Sequence, residues 1–374
     1  MRLIFTSLAS HGHLYPLLPL AVAARDAGHH VLFATAEDYL PIVRKAGLEA
    51  APAGIGISAA FAERPGADGR TRAELSPAEL IPLAASIFGE MLPRRFVAGL
   101  GPLIERERPD LVIYEFANPG GGLAAALAGV PAVCHGFGKV NSGGLAALMG
   151  ESLAAYSAEL GFAVPPLDVP FVDICPESVQ SAEFMQNPKR VPLRPVGWNE
   201  PGDLPRGLGR PLVYLTLGTA MGDVPVLKAA IDGLAGLDVQ VLVATGPTVE
   251  VSALGEVPEN VRLEAWVPQA DLLPQVDLVV HHGGSGTTLG AFGAGLPQLV
   301  LPQGADQFTN AEAVFEAGVG DRLLGEAVTG EAVREYARRL LVDETVRGAA
   351  GRLAAEVAGM PSPGEVVELL PGFA

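Results

Sequence analysis

A chain of 374 residues with 49 % apolar and 18 % charged residues is globular and too long for one ordinary core, so two domains are expected. Its net charge of −17 argues against nucleic acid and against stable association with an anionic membrane, since both need basic patches. Cys134 and Cys175 are the only cysteines and form no CxxC pair, which speaks against a metal centre or a disulfide framework and for a reduced, cytoplasmic protein.

In chain order, the first half alternates short apolar strands with helical runs. Leu3 to Thr6 reads as a strand and Ser7 to Leu14 as a loop. Pro16 to Ala27 reads as a helix that opens on proline and closes at Gly28. The strand Val31 to Ala34 and the helix Glu37 to Ala46 follow. Further on come the strand Asp110 to Tyr114, the Ala-rich helix Gly120 to Ala128 and the strand Pro131 to His135. The N-terminal apolar run is too brief for a signal peptide, and no apolar run of about 18 residues is present to span a membrane.

Proline and glycine dominate Pro192 to Pro211, and periodicity is lost there, which marks a linker. The alternation restarts with strands at Leu212 to Leu217, Val239 to Ala244, Val261 to Ala265, Asp277 to Val280 and Gln298 to Leu301. The tail from Glu331 is helical until Pro361 and Pro363, and Glu365 to Leu370 reads as a last short helix. The expected fold is therefore α/β: two doubly wound, Rossmann-like domains facing a cleft. Their expected bounds are 1–195, a linker at 196–211, 212–358, and a C-terminal helix at 359–374 that returns to the first domain.

The richest stretch runs from His281 to Asn310, HHGGSGTTLGAFGAGLPQLVLPQGADQFTN. A strand feeds two histidines, a small-residue turn and a helix start. Such a helix start presents unpaired N–H groups and partial positive charge to an anion. Gly284 and Gly286 allow close approach, and Ser285, Thr287 and Thr288 add hydroxyls, so the segment reads as a diphosphate cradle. Successive strand side chains diverge, so His281 and His282 cannot readily chelate a metal, and no Asp-x-Asp pair is present to hold one on a diphosphate.

Other polar clusters fall at strand ends, where open α/β sheets bind ligands. His11 and His13 follow the first strand, and a histidine there can serve as general base or merely solvate a turn. Glu115 closes the Asp110 to Tyr114 strand and could steady that imidazole or stand as a surface carboxylate. Gly218 and Thr219 follow the first strand of the second half. Trp266 could stack on a nucleobase or anchor a core, and Asp306 and Gln307 could bind a polyol or cap a helix. The segments 59–96 and 139–161 look least regular and carry Phe61, Phe88, Met91, Leu145 and Met149, which would line an apolar acceptor pocket together with His11 or simply pack.

At these residues the chain resembles the GT-B glycosyltransferases that act on natural products in actinomycetes. The resemblance runs nearly the whole length, through SHGHLYPLLPLAVAARDAGH, RPDLVIYEFANPGGGLAAALAGVPAV and the donor signature WVPQADLLPQVDLVVHHGGSGTTLGAFGAGLPQLVLPQGADQFTNAEAV. It implies a metal-independent, inverting transfer from a nucleotide sugar, with no cofactor. His13 matches the catalytic base and Glu115 its acidic partner, a position that is often Asp in the wider family. Trp266 matches the base-stacking residue and Val267 a backbone contact to the base. His282, Gly284, Ser285, Gly286 and Thr287 match the diphosphate site, Thr219 a hydroxyl near it, and Asp306 and Gln307 the donor-sugar contacts. Related enzymes using ribose nucleotides often carry Glu where Gly290 stands, so its absence here points to a dTDP-sugar over a UDP-sugar.

The implied partners are that nucleotide sugar and a large apolar aglycone such as a polyketide, with a homodimer left open. Three other readings share the fold. A C-glycosyltransferase would attack through an aromatic carbon, a helper would bind the nucleotide sugar without turnover, and an epimerase would need no acceptor.

Overall fold

The computed structural model describes residues 1–64, 70, 74–140, 143–200, 202–219 and 222–374. It divides into two compact units, 1–174 with 181–193 and 361–374, and 175–180 with 194–360.

The first unit is built on a seven-stranded parallel sheet among the described residues. Its strands are β1 (Arg2–Thr6), β2 (His30–Thr35), β3 (Glu49–Pro52), β4 (Leu111–Glu115), β5 (Ala132–His135), β6 (Phe171–Asp173) and β7 (Arg190–Pro192). Their order is β3-β2-β1-β4-β5-β6-β7. The strands read as short continuous apolar runs because helices cover both faces, as parallel sheets require. The order reverses between β1 and β4, which pair with Thr6 opposite Tyr114. That reversal is the switch point at which doubly wound sheets open a crevice.

Several elements differ from the sequence reading. The stretch after β1 is not all loop: Ser10 carbonyl bonds start a short helix, His11–Leu14. The segments read as irregular are largely helical, with helices at Ile57–Glu63, Pro77–Ser86, Leu92–Glu107 and Gly144–Glu159. Prolines at 82, 93 and 102 interrupt their pattern and disguise it, although Ser76 and Glu79 form a capping box at one start. Residues 65–69, 71–73 and 141–142 of those segments, and Pro201 of the linker, lie outside the described residues. The helix Pro363–Val367, capped by Ser362 and Glu365, packs on the helix Leu18–Asp26 of the same unit and buries Val366 and Val367.

Among the described residues the second unit holds a six-stranded parallel sheet: β8 (Leu212–Thr216), β9 (Gln240–Ala244), β10 (Val261–Glu264), β11 (Leu278–His281), β12 (Gln298–Val300) and β13 (Gly320–Arg322). Its order, β10-β9-β8-β11-β12-β13, is the doubly wound one, with the reversal between β8 and β11. Val213, Leu215, Val241, Val243, Val280 and Leu299 form an aliphatic core with Leu227, Ile231 and Val333 from helices. Residues 175–180, read from sequence as part of the first domain, belong to this unit: the Glu356 carboxylate accepts from the Ser178 N–H at 3.0 Å and its hydroxyl at 2.5 Å. The stretch read as a linker groups here too, with Asn199 Oδ1 accepting from the Ala270 N–H at 2.9 Å.

Candidate active site

In the first unit the switch point carries an acid–imidazole pair. The loop after β1 leads into the turn His11–Leu14, and β4 ends on Glu115. His13 Nδ1 lies 3.2 Å from Glu115 Oε2. The imidazole is 18 % exposed and the carboxylate fully buried, so a second molecule can reach only the histidine. Oε1 accepts the Ala117 N–H at 2.5 Å, which fixes the carboxylate. Glu115 is thus no surface carboxylate. A buried carboxylate persists where a partner offsets its desolvation, and an imidazole that gains a proton offsets it best. A carboxylate beside Nδ1 favours the tautomer that carries its proton there, in which Nε2 is the accepting nitrogen.

Neighbouring groups are set apart from this chemistry. Burial and the nearby Glu115 charge push the Cys134 thiol well up, so it stays protonated. His135, opposite Glu115 in the ladder, is fully buried and pushed down to about 4 by that burial. Its Nδ1–H donates to the Gly136 carbonyl at 2.6 Å. His11 is held among tyrosines: its ring lies 5.2 Å from that of Tyr15 and 5.3 Å from that of Tyr39, whose hydroxyl is 3.3 Å from Nδ1.

The apolar residues expected around an acceptor divide. Phe61 and Phe88 meet edge to face at 6.4 Å and, with Met91, lie half-buried against the first unit's core. Met149 is half-buried on the helix that packs against the wide turn Ile87–Met91, whereas Leu145 on the same helix is exposed.

In the second unit the switch point carries neutral imidazoles and small residues. His281 ends β11 fully buried, and burial pushes it down to about 3. Its Nε2–H donates to Gln298 Oε1 at 2.8 Å, and its Nδ1 accepts the Gly283 N–H at 3.1 Å. Both bonds belong to the neutral ring and fix the turn that follows. His282 points elsewhere, its ring at 88° to that of His281. It too is held neutral, pushed down to about 4 mainly by burial. Its ring fills the space between two glycines: a Cβ on Gly218 or on Gly284 would come within 2.4 Å of it. Gly283 adopts φ +90, and a Cβ there would meet the Gln307 carbonyl at 2.8 Å.

The helix Ser285–Gly293 begins at this turn. Gly286, in its first turn, is exposed, and a Cβ there would meet nothing within 4 Å. Ser285 Oγ donates to Asp306 Oδ2 at 2.9 Å, and Asn310 Nδ2 donates to that oxygen, to Ser285 Oγ and to the Gly283 carbonyl at 3.2, 3.1 and 2.8 Å. Asp306 therefore braces the helix start, and it does not cap its own helix. Gln307 is buried, with Oε1 accepting the Gln303 and Gly304 N–H groups at 2.7 and 3.2 Å. Thr287 Oγ1 donates to Gln269 Oε1 at 3.1 Å. Gly218, at φ +80, and Thr219 follow β8. Trp266 stands 43 % exposed after β10, while Val267 is buried. A Cβ on Gly290 would lie 2.9 Å from Leu273 Cδ1.

Sequence reasoning missed Asn310, Gln269 and the His281–Gln298 bond, which depend on spatial rather than sequential neighbours. It also missed Phe116 and Phe137. Phe137 lies 4.9 Å from the His13 ring. Its signal was available, since Phe116 directly follows Glu115 and Phe137 closely follows β5.

Two doubly wound sheets, each with its polar residues at the switch point, define the GT-B class, and the chain is a glycosyltransferase of that class. It belongs to the erythromycin biosynthesis protein CIII-like family: residues 22–208 match the family's N-terminal domain and 228–372 its C-terminal domain. It is 35 % identical to the L-demethylnoviosyl transferase of Streptomyces niveus, across 98 % of this chain and 97 % of that protein. It is similar to the solved structure of the Streptomyces sp. SF2575 glycosyltransferase SsfS6 complexed with thymidine diphosphate. There the TM-score is 0.82 and the identity 30 %, over 100 % of this chain and 99 % of that one. The spinosyn rhamnosyltransferase SpnG complexed with spinosyn aglycone matches with TM-score 0.84 and 27 % identity, over 99 % of this chain and 100 % of that one. Among the described residues, no helix is long and apolar enough to cross a membrane.

Proposed function

We propose that the chain moves a deoxysugar from a dTDP-sugar to a hydroxyl of a large apolar aglycone, with inversion and without a metal. The observation that carries this is the 3.2 Å contact between the partly exposed His13 and the buried Glu115 at the first unit's switch point. His13 Nε2 takes the acceptor hydroxyl proton as the oxygen attacks the anomeric carbon. The bond from that carbon to the diphosphate breaks in line, and its electron pair leaves on the β-phosphate oxygen. Glu115 stabilises the imidazolium that forms.

Charge then grows on the departing diphosphate. The open N-terminus of the helix Ser285–Gly293 meets it with unpaired N–H groups, and neutral His282 offers hydrogen bonding without a competing charge. Preorganised donors of this kind lower the barrier more than they tighten ground-state binding. Trp266 stacks on the thymine, a role its 43 % exposure supports. The thymidine diphosphate bound to the similar SsfS6 and the aglycone bound to the similar SpnG support the two substrate classes.

His13→Ala tests the reading: turnover should fall by about 10²-fold or more while dTDP affinity holds. Wild-type turnover in that variant would remove His13 from the mechanism.

A further inference from the structure

The chain is poor in aromatic residues, at 6 %, yet four phenylalanines form a continuous row that starts at the base. Phe137 lies 4.9 Å from the His13 ring, tilted by 55°. Phe116 lies 6.4 Å from Phe137, tilted by 40°. Beyond it come Phe171 at 5.7 Å and Phe184 at a further 4.7 Å, both edge to face. Phe171 is buried and Phe137 and Phe184 half-buried, but Phe116 is 43 % exposed. That ring is also firmly placed: it follows Glu115 directly, and its N–H continues the ladder by donating to the His135 carbonyl at 2.9 Å.

Core packing does not account for an open ring at this spot. A large apolar side chain left nearly half in water beside a reactive pair favours a ligand that covers it. We infer that Phe116 and Phe137 form the shelf on which the acceptor lies, and that the acceptor presents a planar aromatic ring bearing the reacting hydroxyl. This deepens the glycosyl-transfer reading and rests on it. Two features select an aromatic ring over a saturated one. The rings in the row are spaced 4.7–6.4 Å apart, within the range of favourable offset and edge-to-face contacts, so a further ring continues the series. A phenolic hydroxyl ionises near 10, far closer to an imidazole base than an aliphatic alcohol does, so His13 removes its proton with less assistance.

The test is an equilibrium titration of the full-length protein, held with dTDP, using alizarin as the planar phenolic probe and a saturated tricyclic alcohol of similar size as its counterpart. Wild type should bind alizarin about ten-fold more tightly than the alcohol. Phe116→Leu keeps apolar bulk at an exposed position but removes the ring, and should weaken alizarin about three- to ten-fold while leaving the alcohol unchanged. Phe137→Leu should act in the same direction. Equal affinity for the two probes in wild type, or unaltered alizarin affinity in Phe116→Leu, would overturn the shelf. Titration of dTDP alone separates the two claims. Intact dTDP binding with no aromatic preference defeats the shelf only, whereas a wild type that fails to bind dTDP defeats the proposed dTDP-dependent transfer and the shelf that rests on it.

Discussion

The two sheets of this chain share one architecture and make opposite use of histidine at the switch point. In the first unit, His13 meets a buried carboxylate at 3.2 Å and stays reachable. In the second, burial holds His281 and His282 neutral, down to about 3 and about 4. The first environment sets a buried carboxylate beside its imidazole, and the second holds its imidazoles neutral by burial. A transferase needs both: a base that becomes cationic as the acceptor is deprotonated, and a rigid donor-side frame whose hydrogen bonds do not change as charge leaves. The scaffold thus leaves the chemistry to a few contacts around each ring.

The largest expected effect tests the first half of this contrast. His13→Ala should lower kcat by about 10²-fold or more, and Glu115→Gln by about ten-fold or more, both without a change in dTDP affinity. Steady-state kinetics beside nucleotide titration measures the split, and equal losses in kcat and nucleotide binding would place His13 on the donor side.

The next breaks the second half. Gly284 has an ordinary backbone conformation, so a side chain there is opposed first by the His282 ring, whose atoms lie nearest. Gly284→Ala should therefore cost about 1–3 kcal/mol of unfolding free energy in the ligand-free protein, read by denaturant melts. Gly286→Ala, facing open space, should leave that stability intact yet weaken dTDP, because the added methyl stands where the proposed cradle would admit a phosphate. A Gly286→Ala protein with unaltered dTDP affinity would remove this helix start from the cradle.

Trp266→Ala sharpens the base-stacking assignment. The side chain is 43 % exposed, so the fold should survive, while dTDP affinity falls about ten-fold.

A further test is one of pH. His135, His281 and His282 are all held below their unfolded value near 6.5. Between about pH 6.5 and 4 the unfolded chain binds protons that the folded chain refuses. The stability these neutral rings contribute is complete above about 6.5 and is lost as pH falls, by about 1.4 kcal/mol per pH unit for each. Melting curves taken from pH 7.5 down to 5 should show this decline, and a flat profile would mean that the rings protonate in place.

Much of this was legible in the chain because parallel strands are short apolar runs and their C-terminal ends carry the polar residues. Leu111–Glu115 and Leu278–His281 announce themselves in that way. The helices between 57 and 107 did not, since prolines at 82, 93 and 102 break the periodicity that marks a helix. Side-chain duty was less legible still. Asp306 reads as a polyol ligand or a helix cap, and nothing in the sequence shows that Ser285, 21 residues earlier, donates to it. Asn310 looks like an ordinary helical residue until its amide is found tying Gly283 to Ser285. Such bonds are set by the packing of a turn against a helix start, and no spacing rule encodes them.

The most direct test of the division between the two sheets is one calorimetric series: dTDP titrated, without added metal, into wild type, His13→Ala and Trp266→Ala. The account predicts the same affinity for wild type and His13→Ala and about ten-fold weaker binding for Trp266→Ala. Binding lost in His13→Ala but kept in Trp266→Ala would contradict it, and so would a wild type that binds no dTDP at all.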